Sequence, residues 1–196
     1  MKYLKMLGIA ALASLAVMAV AGVGTAAAGT KVCKNALGTE CYPAGTKLSA
    51  NSTHALLTTN LTNVTCKKSL VTGTMDGTTG HGQVTGLTFG ECVATSNGSA
   101  CTVTAINLPY TATAIAGPAL TLTPISGPMG ATVVCPNALI NCTFTSKHLI
   151  LDVTNGAPAT VHAKEEPLER EGGFCPSESK WDATYTVTAP NPLYIV

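Results

Sequence analysis

Cysteine is the residue type in this 196-residue chain whose spacing most clearly predicts chemistry. An even number of cysteines in a short exported chain is typical of a disulfide framework. A zinc site is the alternative, but no interval between cysteines has the C-x-x-C spacing of such sites. We therefore predict disulfides and no metal site for the eight cysteines, which are Cys33, Cys41, Cys66, Cys92, Cys101, Cys135, Cys142 and Cys175.

The intervals between the cysteines favour one pairing among the 105 that eight cysteines allow. Three close pairs bracket turn-rich segments, and the two remaining cysteines then pair with each other. The predicted disulfides are Cys33–Cys41, Cys92–Cys101, Cys135–Cys142 and Cys66–Cys175. In a loop-entropy description, each short loop stabilises the fold by roughly 2 to 3 kcal/mol and the long loop by about 5 kcal/mol.

Acid–base chemistry has one candidate position, where His81 follows Asp76 in a Gly- and Thr-rich loop. Together with a serine or another carboxylate, this pair could serve an extracellular hydrolase, whereas a solvated hairpin tip is the simpler interpretation. The chain contains no nucleophile elbow, metalloprotease His pair, phosphate loop or calcium loop. The sequence thus leaves enzymatic activity open, favours a non-enzymatic protein and predicts no cofactor.

Acidic side chains are concentrated in the segment 162–171, in an otherwise weakly charged chain. One interpretation is a recognition or cation-binding patch built from Glu165, Glu166, Glu169 and Glu171. The other is a solvent-facing hairpin around Pro167, whose charges protect a sheet edge from pairing with another chain.

Strands must position these residues, because β-branched and apolar residues alternate with period two over much of the chain. Turn signals such as Asn97-Gly98 and Gly127-Pro128 separate the alternating stretches. We predict an all-β domain, an antiparallel β-sandwich or barrel-like fold stapled by disulfides. The predicted strands cover 46–50, 54–59, 62–72, 83–89, 101–108, 109–116, 119–123, 131–135, 141–145, 147–154, 159–164, 183–188 and 191–195.

The N-terminus has the pattern of a signal peptide. Lys2 and Lys5 precede an apolar, Ala-rich run, and Ala26-x-Ala28 fits a peptidase site, so we predict a leader at 1–28 and one domain at 29–196. An uncleaved anchor is the alternative, but the run is short for a spanning helix. The near-neutral charge predicts neither nucleic-acid binding nor attraction to an anionic membrane surface. We predict no membrane span after cleavage of the leader.

Several segments resemble one group of proteins. The Ala-rich leader, the close Cys pairs, and the segments Asn107-Leu-Pro-Tyr110, Ala131-Thr-Val-Val-Cys135, Ile140-Asn-Cys142-Thr-Phe, Arg170-Glu-Gly-Gly-Phe-Cys175 and Tyr185-Thr-Val-Thr are similar to those of uncharacterised, secreted, Thr-rich, disulfide-containing proteins of high-GC soil actinobacteria. That group has no assigned activity. The resemblance implies a bacterial exported β-protein and no site residues.

Function is expected outside the cytoplasm. The leading hypothesis is a secreted, extracellular or cell-envelope-associated protein that acts as a binding or structural module. Its expected partner is a cell-envelope component or another extracellular protein. The alternatives are a carrier that holds a small apolar ligand in a cleft, which an apolar pocket would favour, and an extracellular hydrolase.

Overall fold

The computed structural model describes residues 29–77, 79–115, 117–138, 140–171 and 175–196. The predicted leader at 1–28 lies outside the described residues. Every predicted strand overlaps an observed one. The strands are β1 (Val32–Cys33), β2 (Lys47–Ser52), β3 (Ala55–Thr59), β4 (Val64–Met75), β5 (His81–Ala94), β6 (Ala100–Ile106), β7 (Tyr110–Ile115), β8 (Ala119–Pro124), β9 (Met129–Cys135), β10 (Ile140–Ser146), β11 (Leu149–Thr154), β12 (Thr160–Glu171), β13 (Ser179–Ala189) and β14 (Tyr194–Ile195), with one 3-10 turn at Pro136–Ala138.

The strands β2 to β13 close into an antiparallel barrel that confirms the predicted all-β, barrel-like fold. The long strands β4, β5, β12 and β13 each fill one position in the wall. The other wall positions are each filled by two consecutive short strands placed end to end, namely β2/β3, β6/β7, β8/β9 and β10/β11. Pairing of β13 with both β2 and β3 closes the ring. The chain therefore visits the wall positions in sequence order, as in an up-and-down barrel.

Period-two alternation decides which side chains enter the barrel. On β13, Ala183, Tyr185 and Val187 are buried, while Thr184 and Thr188 between and beyond them are exposed. Successive side chains of a strand point to opposite faces, so the apolar set lines the interior and the threonines lie outside. On this strand the threonines therefore lie on the outer surface of the barrel.

The barrel has two halves with different interiors. We call the end containing β3, β6, β9 and β10 the filled half, and the end containing β2, β7, β8 and β11 the hollow half. In the filled half, Val133 and Phe144 are 2% exposed. At the junction, the rings of Phe89 and Trp181 meet edge to face with centroids 5.4 Å apart.

Four disulfides join all eight cysteines. The predicted bond Cys33–Cys41 is confirmed. The predicted bonds Cys92–Cys101, Cys135–Cys142 and Cys66–Cys175 are wrong, because the chain instead forms Cys66–Cys92, Cys101–Cys135 and Cys142–Cys175.

Strand register explains the wrong pairings. Cys92 lies directly opposite Cys66 on β4 and also directly opposite Cys101 on β6. The short interval between Cys92 and Cys101 therefore does place them side by side, as predicted. A central cysteine with a neighbour on each side has two suitable partners, and sequence separation cannot distinguish them.

A small second sheet covers the end of the hollow half. In it, Val32 of β1 pairs with Ile195 of β14. Leu193 forms a bridge to Gly156 in the turn between β11 and β12. We call this two-stranded sheet with Leu193 the cap. Among the described elements, none is a helix with the length and hydropathy that a membrane crossing requires.

Candidate functional site: an apolar cavity in the barrel

The hollow half contains a cavity of about 190 Å³. Inward-facing residues of every wall position line it, because the alternation described above directs one side chain in two towards the axis. No lysine, arginine, aspartate or glutamate is among the described residues that line it. Aliphatic side chains make up most of the wall, including Val71, Ala112, Leu120, Leu151 and Val187.

The size of this cavity exceeds that of an ordinary packing defect. An engineered apolar cavity of about 150 Å³ is large enough to bind benzene. At about 24 cal/mol per Å³, an empty space of about 190 Å³ costs roughly 4 to 5 kcal/mol of stability relative to a filled core. The disulfides offset this cost. In the loop-entropy description, Cys66–Cys92, Cys101–Cys135 and Cys142–Cys175 each stabilise the fold by about 3.5 to 4 kcal/mol.

Two structural elements close the ends of the cavity. The floor contains Phe89, Trp181 and Tyr185. At the opposite end, the cap contributes Val32 and Ile195 together with Leu193. Both ends of the cavity are therefore apolar.

The residues that line the cavity are spread along the barrel axis. His81 and Phe89 both line it and stand eight residues apart on β5, which is about 26 Å of strand at ~3.3 Å per residue. Because barrel strands tilt by about 40°, this corresponds to roughly 20 Å along the axis. An elongated apolar molecule or a fused pair of rings matches this shape.

The asparagine that follows β11 fastens the cap. The Asn155 side chain accepts a hydrogen bond from the backbone N–H of Ile195 at 2.8 Å and donates one to its carbonyl at 3.0 Å. Tyr42 also donates to the carbonyl of Pro192 at 2.5 Å. These bonds satisfy backbone groups at the open edge of β14 and hold the strand over the cavity.

One pair of hydroxyl groups stands out in the apolar wall. The Tyr185 hydroxyl lies 2.9 Å from Ser69 Oγ, and both residues are buried. They belong to β13 and β4, so the tyrosine side chain spans the intervening strand β2. Burial raises the pKa of Tyr185 to about 12, although the hydrogen bond with Ser69 acts in the opposite direction. The phenol therefore stays protonated and able to donate.

The second buried tyrosine of the cavity has a structural role. The Tyr110 hydroxyl donates to the carbonyl of Ile106 at 2.5 Å and lies 3.4 Å from the backbone N of Gly130, which donates to it. Burial raises the pKa of Tyr110, and the hydrogen bond with Gly130 partly opposes this. Its hydroxyl thus braces the junction between β6 and β7 against β9.

The residues predicted for hydrolase chemistry are not joined through their side chains. Asp76 and His81 are linked by a backbone hydrogen bond of 3.0 Å, while the His81 ring bonds Thr113 Oγ1 at 3.1 Å. His81 lines the cavity near the cap. Within the described part of the chain, no group of three or more His, Cys, Asp or Glu side chains could hold a metal ion.

The four predicted patch glutamates lie along β12 on a continuous strand. Lys180 forms an ion pair with Glu165 at 3.2 Å, and Glu166 accepts a hydrogen bond from the backbone N–H of Ile150 at 3.2 Å. Glu169 and Glu171 are exposed, opposite residues of β10. Glu165 and Glu166 therefore already bind residues of neighbouring strands. The recognition patch stays a prediction.

The alternative interpretation of this acidic segment, a hairpin around Pro167, is wrong. Pro167 pairs with Lys180 within the β12–β13 ladder, and the next pair, Leu168 with Ser179, continues it. A bulge between Ala163 and Glu166, with Glu165 at a φ of 48°, lets the strand pass through a proline and a run of charges without turning. Sequence composition alone suggested a turn here because charges and proline are depleted in strands.

The cavity itself was anticipated only as one alternative, and its key residues Ser69, Ala112 and Tyr185 were not identified from the sequence. The available signal was the low aromatic content of 5% in a chain rich in small apolar residues. The number and tilt of the strands set the barrel radius, so small inward-facing side chains such as Ala112 leave space that larger ones would fill.

Comparison with protein-family models, with curated proteins and with solved structures finds no match to this chain.

Proposed function

We propose that this protein is a non-enzymatic binding protein that carries a small, elongated, uncharged apolar molecule inside the hollow half of its barrel. One observation supports this most: a cavity of about 190 Å³ without lysine, arginine, aspartate or glutamate among its described lining residues. A charged ligand would lose its hydration there without gaining a partner. An uncharged apolar ligand gains burial against the apolar side chains that line the cavity.

The same cavity favours the carrier hypothesis over a surface-binding or structural module and over a hydrolase. A surface-binding module uses its exterior and has no need of a large internal space, which is costly to keep empty. A hydrolase needs a nucleophile, an acid–base group and a water path converging on one cleft. The role of surface-binding or structural module stays a prediction, with Glu169 and Glu171 as its exposed acidic candidates.

The proposed location is outside the cytoplasm of a bacterial cell, with the leader at 1–28 removed. Four disulfides support this, because such bonds persist in oxidising compartments and are rare where thiols are kept reduced. An apolar molecule that must cross an aqueous compartment needs a protein that shields it from water. A cap over the cavity matches that need.

Fluorescence titration with N-phenyl-1-naphthylamine, a neutral probe that brightens in apolar surroundings, tests the proposal. We expect saturable binding of one probe per chain to the oxidised protein. The variant Ala112→Leu fills part of the cavity from its wall and should weaken binding at least tenfold. Equal titration curves for the two proteins, or no saturable signal, would overturn the proposal.

A further inference from the structure

The hydrogen bond between Ser69 and Tyr185 leaves one donor unused. Each hydroxyl group has one hydrogen, and the bond of 2.9 Å between the two oxygens uses only one of the two. Across the described residues, neither side-chain oxygen has another hydrogen-bond partner. One hydroxyl hydrogen therefore has no acceptor within the described protein.

The position of this pair determines where the unused hydrogen can act. Tyr185 lines the cavity at its floor, whereas Ser69 is not among the lining residues. If Ser69 donates to the phenol oxygen, the Tyr185 hydrogen is left to donate towards the cavity. The buried serine then serves as the group that orients the phenol.

Tyr110 provides the contrast within the same cavity. Its single hydroxyl hydrogen is donated to the carbonyl of Ile106, and the N–H of Gly130 donates to the same oxygen, so no hydrogen remains for a ligand. His81 lies at the far end of the cavity, eight residues along β5 from Phe89. At the floor, the described lining offers two side-chain donors, the Tyr185 hydroxyl and the indole N–H of Trp181, and the hydroxyl is the one that Ser69 can orient.

From this arrangement we infer that the ligand carries one hydrogen-bond acceptor, such as a ketone or ester carbonyl, which Tyr185 binds at the cavity floor while Ser69 orients its hydroxyl. This inference rests on the proposed function. An uncharged acceptor is favoured at the floor, because the described lining includes no lysine or arginine and His81 lies at the opposite end. A pure hydrocarbon would fill the same space but leave the donor unpaired.

A matched pair of probes separates this inference from the proposed function. Tetralin and 1-tetralone have nearly the same size and differ by a carbonyl in place of one methylene. Each is measured by displacement of N-phenyl-1-naphthylamine from the oxidised protein. The ratio of their affinities, compared between variants, cancels the different cost of removing each probe from water.

The variant Tyr185→Phe keeps the ring and removes the donor. We expect the affinity for 1-tetralone to fall about 3- to 10-fold, while the affinity for tetralin stays within a factor of two. The matched control Tyr110→Phe also removes one cavity-lining phenol hydroxyl but should leave the affinity ratio unchanged. Should Tyr185→Phe fail to fold, Ser69→Ala keeps the donor, loses its orientation and should lower the ratio about 2- to 3-fold.

The outcomes distinguish the two proposals. Binding of both probes, with the same affinity ratio in wild type, Tyr185→Phe and Ser69→Ala, would overturn the acceptor inference and leave the carrier function standing. Absence of saturable N-phenyl-1-naphthylamine binding would overturn both proposals, whereas binding of that probe with displacement by neither tetralin nor 1-tetralone would overturn the acceptor inference alone. If Tyr110→Phe lowers the ratio of the 1-tetralone and tetralin affinities as much as Tyr185→Phe does, the inference is also contradicted. The effect would then not be specific to the Tyr185 hydroxyl.

Discussion

Replacing Ala112 by leucine should stabilise the empty protein, which is the reverse of the usual effect of enlarging an inward-facing residue. Ala112 lies on β7, lines the cavity and pairs with Gly82, which carries no side chain. The substitution adds three carbon atoms, each worth about 0.8 kcal/mol when buried. Ordering the leucine side chain costs about 0.5 to 1 kcal/mol, so the net gain is about 1.5 to 2 kcal/mol.

Thermal and urea unfolding of the oxidised protein without ligand measure this gain. For a chain of this size, about 1.5 to 2 kcal/mol corresponds to a rise in Tm of roughly 3 to 8 °C. The matched control is Ala183→Leu, which adds the same atoms at an inward position that is 1% exposed and lies outside the cavity lining. Overpacking there should lower the free energy of unfolding by about 1 to 3 kcal/mol.

If Ala112→Leu and Ala183→Leu change the free energy of unfolding in the same way, the argument that position 112 adjoins free space is refuted. A loss of stability in Ala112→Leu similar to that in Ala183→Leu would mean that no free space adjoins position 112. The cavity would then not exist in solution, and the carrier function would lose its main support. Stabilisation of Ala112→Leu together with weaker probe binding would tie the free space to the ligand site.

Three further predictions concern the cap and the buried phenol. Replacing Cys33 and Cys41 by serine removes a disulfide with a sequence separation of 8. The free energy of unfolding, measured by urea titration, should fall by about 2.5 kcal/mol. A loss under about 1 kcal/mol would contradict the loop-entropy account. Asn155→Ala removes both hydrogen bonds to Ile195, so it should cost about 1 to 2 kcal/mol and speed probe release in stopped-flow fluorescence; an unchanged release rate would show that the cap is not the exit. Burial raises the pKa of Tyr185 from 10.0 to about 12, so the folded state keeps a proton that the unfolded state releases, and stability should fall by about 2 to 3 kcal/mol as pH rises between these values. The alkaline unfolding profile of Tyr185→Phe should lack this part of the decline, and identical profiles would count against the burial argument.

Much of the secondary structure could be predicted from local sequence, because strand formation depends on neighbours along the chain. Alternation such as that in β13 sets which residues face inward, and Gly- and Asn-containing turns set where strands end. The prediction failed locally at β12, which continues to Glu171 although the sequence suggested an end at 164. There, pairing with β13 and β10 outweighs the poor strand propensity of Pro167 and the glutamates.

The candidate site depended on relationships that the local sequence does not contain. The pairing of Cys66 with Cys92 follows from register, and the closure of the ring joins β13 to β2 and β3 from the other end of the chain. The bond between Ser69 and Tyr185 joins residues 116 positions apart.

The sequence by itself determined an all-β chain, the inward or outward orientation of most strand residues and the presence of cysteines able to crosslink it. Only the tertiary structure decided which cysteines pair and that the barrel contains a hollow. The physical reason is that cavity volume is a difference between two quantities. The radius set by the number and tilt of strands defines the interior space, and the side chains that enter from every wall position fill only part of it.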